Sequence, residues 1–244
     1  MLAYRVNFLI GASSTIAMQI GGLVTIWVVM RQVSSLHGWT LNEILLVYGL
    51  TNLALSFGHM FADNLWTMGR HYIRPGGFDR FLVRPINPLF ALLADRFCYD
   101  GIGDFLVGLV VTIIAATGLG IAWTLPTVLY FCLTVVSGGA IFIALNLITS
   151  VSAFWIVDSV PVTLAVFQTS QFARYPLPIY ASWIRILLTW VVPYGLVSFY
   201  PAAQLTGRNP GLMAWAPPVM AALLLGVGYR LWLFGLRHYT GTGS

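Results

Sequence analysis

Six runs of about twenty largely apolar residues follow one another along this sequence. They cover residues 6–30, 41–62, 101–122, 125 to a point between 150 and 157, 183–200 and 215–236. A helix crossing the hydrocarbon of a bilayer needs about 20 such residues. Within hydrocarbon each backbone N–H and C=O must be satisfied inside the segment, which favours helices. Only 8% of the 244 residues are charged, against roughly 25% in a soluble domain. The expectation is an all-α polytopic membrane protein with six transmembrane helices. The longest polar stretch, 63–84, is too short for a separate domain, and no repeat, linker or low-complexity tract interrupts the pattern. Residues 1–244 therefore read as a single membrane domain.

Local signals set several boundaries. Thr40-Leu41-Asn42-Glu43 is a capping box that starts the second helix. Pro126 and Pro217-Pro218 fall in the first turns of the fourth and sixth helices, where a missing N–H costs little. Pro193 lies inside the fifth and predicts a kink. Between the fourth and fifth runs, Asp158-Ser159-Val160-Pro161 and residues 162–173 are too short to span. Ser159 as cap and Pro161 as helix start predict an interfacial helix, ended by Arg174-Tyr175-Pro176-Leu177-Pro178.

All 12 basic residues are arginine. With both termini cytoplasmic, Arg5, Arg70, Arg74, Arg80, Arg84, Arg96, Arg174, Arg185, Arg230 and Arg237 fall inside, and Arg31 and Arg208 outside. That asymmetry satisfies the positive-inside rule. The first apolar run is too long for a signal-peptide core and reads as a retained helix. Cys98 and Cys132 make no ligand spacing and read as small buried hydrophobes.

Several chemistries are excluded by what the sequence lacks. A Walker A loop needs a lysine to reach the β- and γ-phosphates, and there is none. Asp100-Gly101 with Asp104 departs from the di-metal signature of the CDP-alcohol phosphotransferases, since Asp104-Phe105 stands where that signature has Ala-Arg. Ser137-Gly138-Gly139 departs from the rhomboid pattern at Val135, and no H-E-x-x-H occurs. No catalytic residue and no metal site are expected. The aromatics sit mainly in apolar runs rather than among the arginines, so no nucleic-acid surface is expected either.

Arg96, Asp100 and Asp104 share a helical face at the start of the third run. They are expected near the interface, solvated or paired with a neighbouring subunit. His59 and Asn146 are expected to make interhelical hydrogen bonds. The most informative stretch is 69–89. There Phe78, Phe81 and Leu82 fall on one helical face, and Asp79, Arg80, Val83 and Arg84 on the other. Gly76-Gly77 precede the turn and Pro85 ends it. This predicts a short amphipathic helix along the interface, seated by its apolar face. Its mixed charge suits a protein better than anionic lipid, which favours uniform basic charge.

The sequence resembles the ABC-2-type permeases, in an uncharacterised bacterial branch. The resemblance rests on Tyr4-Arg5 with Asn7-Phe8, Gly38-Trp39-Thr40 with Glu43, and Gly77-Phe78-Asp79 with Leu82. Its most specific part is Arg84-Pro85-x-Asn87-Pro88-Leu89; Phe172 with Tyr175-Pro176, Pro193, Tyr200-Pro201 and Tyr239-Thr240-Gly241-Thr242-Gly243-Ser244 fit as well. The resemblance implies a six-helix, type V exporter-like permease of the bacterial cytoplasmic (inner) membrane, with both termini cytoplasmic. It implies a coupling helix after the second span, carried here by Arg74, Gly77, Phe78, Asp79, Arg80, Phe81, Leu82, Arg84 and Pro85. It further implies two copies of a separate P-loop ABC ATPase, which would bind the ATP and Mg, and a second, homologous ABC-2 permease chain. Lipid is the remaining partner, and no cofactor is expected on this chain. Tyr200 and Pro201 are candidates for an external gate. The alternative is an ATP-independent transporter or channel subunit. A line of ionisable residues at mid-membrane depth would favour it, but most charges sit near predicted helix ends.

Overall fold

The computed structural model describes residues 2–156 and 159–239, with the backbone alone for 2–10 and 12. The side chains of Tyr4, Arg5, Asn7 and Phe8, and all of Asp158 and Thr240 to Ser244, lie outside the described residues. Among those described there are helices and turns and no strand, with one isolated bridge between Leu36 and Trp39.

Five helices are long and apolar enough to cross a membrane: α1 (Leu2–Gln32), α2 (Leu41–Trp66), α5 (Gly101–Leu119), α6 (Leu125–Ser150) and α11 (Ala216–His238). Short helices fill the gaps: α3 (Asp79–Leu82), α4 (Pro88–Ala94), α7 (Val160–Gln168), α8 (Ser182–Ile186), α9 (Tyr194–Val197) and α10 (Phe199–Leu205). The α2 capping box forms, Glu43 Oε2 accepting from the Thr40 backbone N–H at 2.8 Å. Gly120, with φ of +65°, ends α5 in a left-handed cap, where a Cβ would be strained.

The hub of the molecule is α2. Its spanning window is 72% buried, against 11% for α1 and 22% for α11. The outer helices turn Val24, Trp27, Val219 and Leu223 outward, which water would penalise and hydrocarbon does not. Small residues bring the hub close to its neighbours. A Cβ on Gly108 of α5 would lie 2.8 Å from the backbone nitrogen of Leu53, so the two helices touch backbone to backbone. Three apolar clusters are strung along α2. One holds Trp39, Ile44 and Leu50, the middle one Ala54, Phe142, Tyr194 and Val197, and the last Leu65, Phe78 and Trp232. These define a Trp39 end and a Phe78 end.

The region after α6 departs from expectation in two ways. First, the segment beginning at Val160 does not lie along an interface. It climbs beside α2: Phe167 stacks edge-on to Trp66 at 4.7 Å, and farther up Thr51 Oγ1 donates to Ala173 O at 2.9 Å. Arg174 then sits over the Tyr48 ring at 5.2 Å. Ser159 stands at the helix start, but its side chain makes no capping bond. Second, Pro193 breaks the following helix outright, with a 72° bend between Ser182–Val191 and Tyr194–Leu205. The break sits deep: Tyr194 packs on Phe142, and Val197 contacts Gly138 at the level of Ala54. Arg174 and Arg185, expected with the inner arginines, consequently lie in the half towards Trp39. Arg185 shares a pocket with Phe199, whose ring is 5.1 Å from Trp39. The physical reason is that the ascent begins at Val160 rather than at Trp183, so both arginines fall after most of the layer has been crossed.

Candidate functional site

Beyond α2 the backbone widens into a π-helical turn, Met68–Ile73, and reverses at Gly76, whose φ is +75°. The Phe78 N–H then donates to Tyr72 O at 2.8 Å. This brings Phe78 into a cage of rings. Phe81, Phe154, Trp232 and Tyr239 surround it at centroid distances of 5.9, 5.7, 5.9 and 5.1 Å. Phe78 and Phe81 are fully buried. The predicted helix over 78–84 is one turn, Asp79–Leu82.

Leu82 was expected to seat this helix beside Phe78 and Phe81; instead it is exposed. Phe81 shares its cluster with Ala91 and Leu92 of α4, and Leu82 stands outside that cluster. Two of the charges expected to face outward are tied within the chain. The Tyr239 hydroxyl donates to Asp79 Oδ1 at 2.9 Å, and Arg80 pairs with Asp95 at 2.7 Å. Arg74, Gly77, Arg84 and Pro85 complete the segment; Arg74, Arg84 and Pro85 are exposed, and Gly77 is half-buried in the turn. The Arg84-Pro85-x-Asn87-Pro88-Leu89 stretch proves to be a joint. Pro85 follows the end of α3, and Asn87 caps α4 by accepting from the Leu89 N–H at 2.9 Å.

The apolar surface this scaffold presents outward was foreseen only at Val83, which the sequence pattern set on the outer face. Val83 is 84% exposed and Phe90 65%, with Ile86 between them. The exposed Arg84 stands between Val83 and Ile86 in sequence. Exposed apolar residues interleaved with charge are a form that protein-binding patches take.

At the Trp39 end, Arg208 reaches back to Glu43 with two bonds, 2.7 Å to Oε1 and 2.9 Å to Oε2, and lies 4.6 Å over the Trp39 ring. Tyr200 and Pro201 occupy α10 just below. Pro201 is buried, and the Tyr200 hydroxyl is 3.4 Å from Thr189 Oγ1.

A third polar site lies in the middle of the molecule. Asp104 is 1% exposed, and its two oxygens face Gln19 Nε2 at 2.6 Å and His59 Nδ1 at 2.7 Å. The Tyr48 hydroxyl extends the chain to Gln19 Oε1 at 2.6 Å. His59 thus makes the interhelical bond its sequence context predicted. Asp104 is not solvated at an interface as expected. The cause is the depth at which α5 starts: Gly101 packs against Met60 and Ser56, more than a turn inside the end of α2.

An all-helical, multi-pass scaffold with a compact cap between its second and third long helices suits a membrane transport subunit but does not define one. The family comparison agrees: the family described as ABC-2 family transporter protein matches residues 16–243. The chain belongs to that family and is an all-α ABC-2 permease; the family is a membrane transport domain without its own nucleotide-binding domain. Membership implies association with ABC ATPases. No curated protein and no solved structure matches the chain.

Proposed function

We propose that this chain is the permease subunit of an ATP-driven exporter. It forms the substrate pathway with a second, homologous permease chain, and two ATPase subunits supply the energy. The observation that carries this reading is the exposed run Leu82, Val83, Ile86 and Phe90 at the Phe78 end. Phe78 and Phe81 act as its foundation and do not meet the partner. A push on the patch passes through the aromatic cage to Trp232 of α11 and Phe154 beyond α6, so two long helices respond together. ATP binding drives transport only through contacts that differ between two states. The broken helix at Pro193, with Tyr200 and Pro201, serves as the external gate.

The Phe78 end is the cytoplasmic one in this reading. Seven of the described arginines lie there against four in the other half once Arg174 and Arg185 are moved, which still meets the positive-inside rule. Both termini are then cytoplasmic, in a bacterial inner membrane. The Asp104–His59 pair favours a second reading, an ATP-independent transporter, because ionisable residues at depth mark such pathways. A photocrosslinker at position 83, with a control at Leu212, which is 88% exposed near the opposite end, tests the choice. The export reading expects an adduct with the P-loop ATPase from position 83 alone. Adducts from neither site, or from Leu212 only, would sink it.

A further inference from the structure

Beside Asp104 the molecule holds a cavity of about 640 Å3 walled by α1, α2, the start of α5, and α7 with the turn after it. We propose that this cavity binds a monovalent organic cation with a bulky apolar body.

Charge is the first argument. Asp63, Asp100 and Asp104 line the cavity, against Arg174 and His59. Among the described residues the lining thus holds three carboxylates against one guanidinium and one imidazole. Carboxylates set among apolar groups are costly to keep charged, and a bound cation relieves that cost. An anion would meet three carboxylates and gain one guanidinium.

Shape and wall chemistry are the second argument. Trp66 and Phe167 pack edge to face at 4.7 Å, and Leu55 and Leu164 join them in the lining. Such walls receive an apolar body, and ring faces attract a cationic head. The volume is that of a drug-sized molecule's site. A bare divalent ion does not fit, because among the described residues no three His, Cys, Asp or Glu side chains converge on one point.

The inference rests on the cavity and not on the export reading. The test needs no ATPase and no nucleotide, so its failure leaves the docking proposal standing. The full chain in lipid nanodiscs is dialysed against tetraphenylphosphonium and, separately, against tetraphenylborate, which has nearly the same shape and the opposite charge. Empty nanodiscs give the lipid background. The wild type is expected to bind one phosphonium saturably, with no saturable borate binding over the same range. Asp104→Asn and Trp66→Ala should each weaken the phosphonium by about tenfold or more, while Arg31→Gln leaves it unchanged. Asp63→Asn, at a half-buried position with less structural burden, decides the matter if Asp104→Asn does not fold. The proposal is overturned if the wild type shows no saturable phosphonium binding, if borate binds equally well, or if a folded Asp63→Asn protein binds as the wild type does.

Discussion

The two ends of this molecule are closed by different physics. At the Phe78 end, buried rings interlock around one phenylalanine, and two of the nearby charges, Asp79 and Arg80, are tied down inside the chain. At the Trp39 end, a carboxylate and a guanidinium meet across 165 residues of sequence, over a cavity of about 450 Å3 that Glu43 and Tyr130 help to line. Dense apolar packing is stiff and transmits displacement. An ion pair with one partner open to water exchanges more readily than interlocked buried rings do. A subunit pushed at one end and opened at the other needs this division, and the break at Pro193 lies between the two.

The comparison is broken most forcefully at Phe78. Phe78→Ala empties the cage and is expected to cost about 3–5 kcal/mol, seen as a large drop in melting temperature or as failure to accumulate in the membrane. Near the midpoint, Gly108→Ala drives a methyl against the Leu53 backbone. It should cost about 1–3 kcal/mol by the same melt, as a close α2–α5 contact requires. Arg208→Ala leaves Glu43 with Thr40 alone and should cost about 1 kcal/mol. It should also raise the accessibility of a thiol placed at position 204, read by maleimide labelling. Arg84→Ala, on an exposed side chain, should change the melt by less than about 0.5 kcal/mol. A large loss at Arg208 and a small one at Phe78 would reverse the assignment of stiff and yielding ends.

Most of the scaffold was legible in the sequence because helix ends are written locally. The capping box at Thr40 and the prolines at 126 and 217–218 act within one turn. What was not legible depends on depth. Asp104 stands four residues into its helix, and a residue near a helix end is ordinarily near water. Here the helix begins inside the layer, and only the packing of Gly101 on Met60 reveals it. Arg174 was misplaced for the same reason, since a 3-10 turn that climbs beside α2 has no distinguishing composition. The segment 69–89 was recognised as a unit, but its inside and outside were partly exchanged. One turn of helix has too few residues for periodicity to say which flank a neighbouring helix will cover. Leu82 was therefore expected inside; Val83 was rightly set on the outer face, and the exposure of Phe90 carried no signal beyond its apolar character.

The central claim is that Val83 and Phe90 form the face on which an ATPase docks. Both side chains are exposed, so Val83→Asp with Phe90→Asp should leave the melting temperature of the permease unchanged. The direct measurement is the amount of P-loop ATPase retained on the tagged, membrane-extracted double variant, compared with the wild type at equal permease. Two residues at the centre of an interface predict a fall of at least about tenfold. Retention equal to the wild type, in a variant that melts normally, would contradict the account.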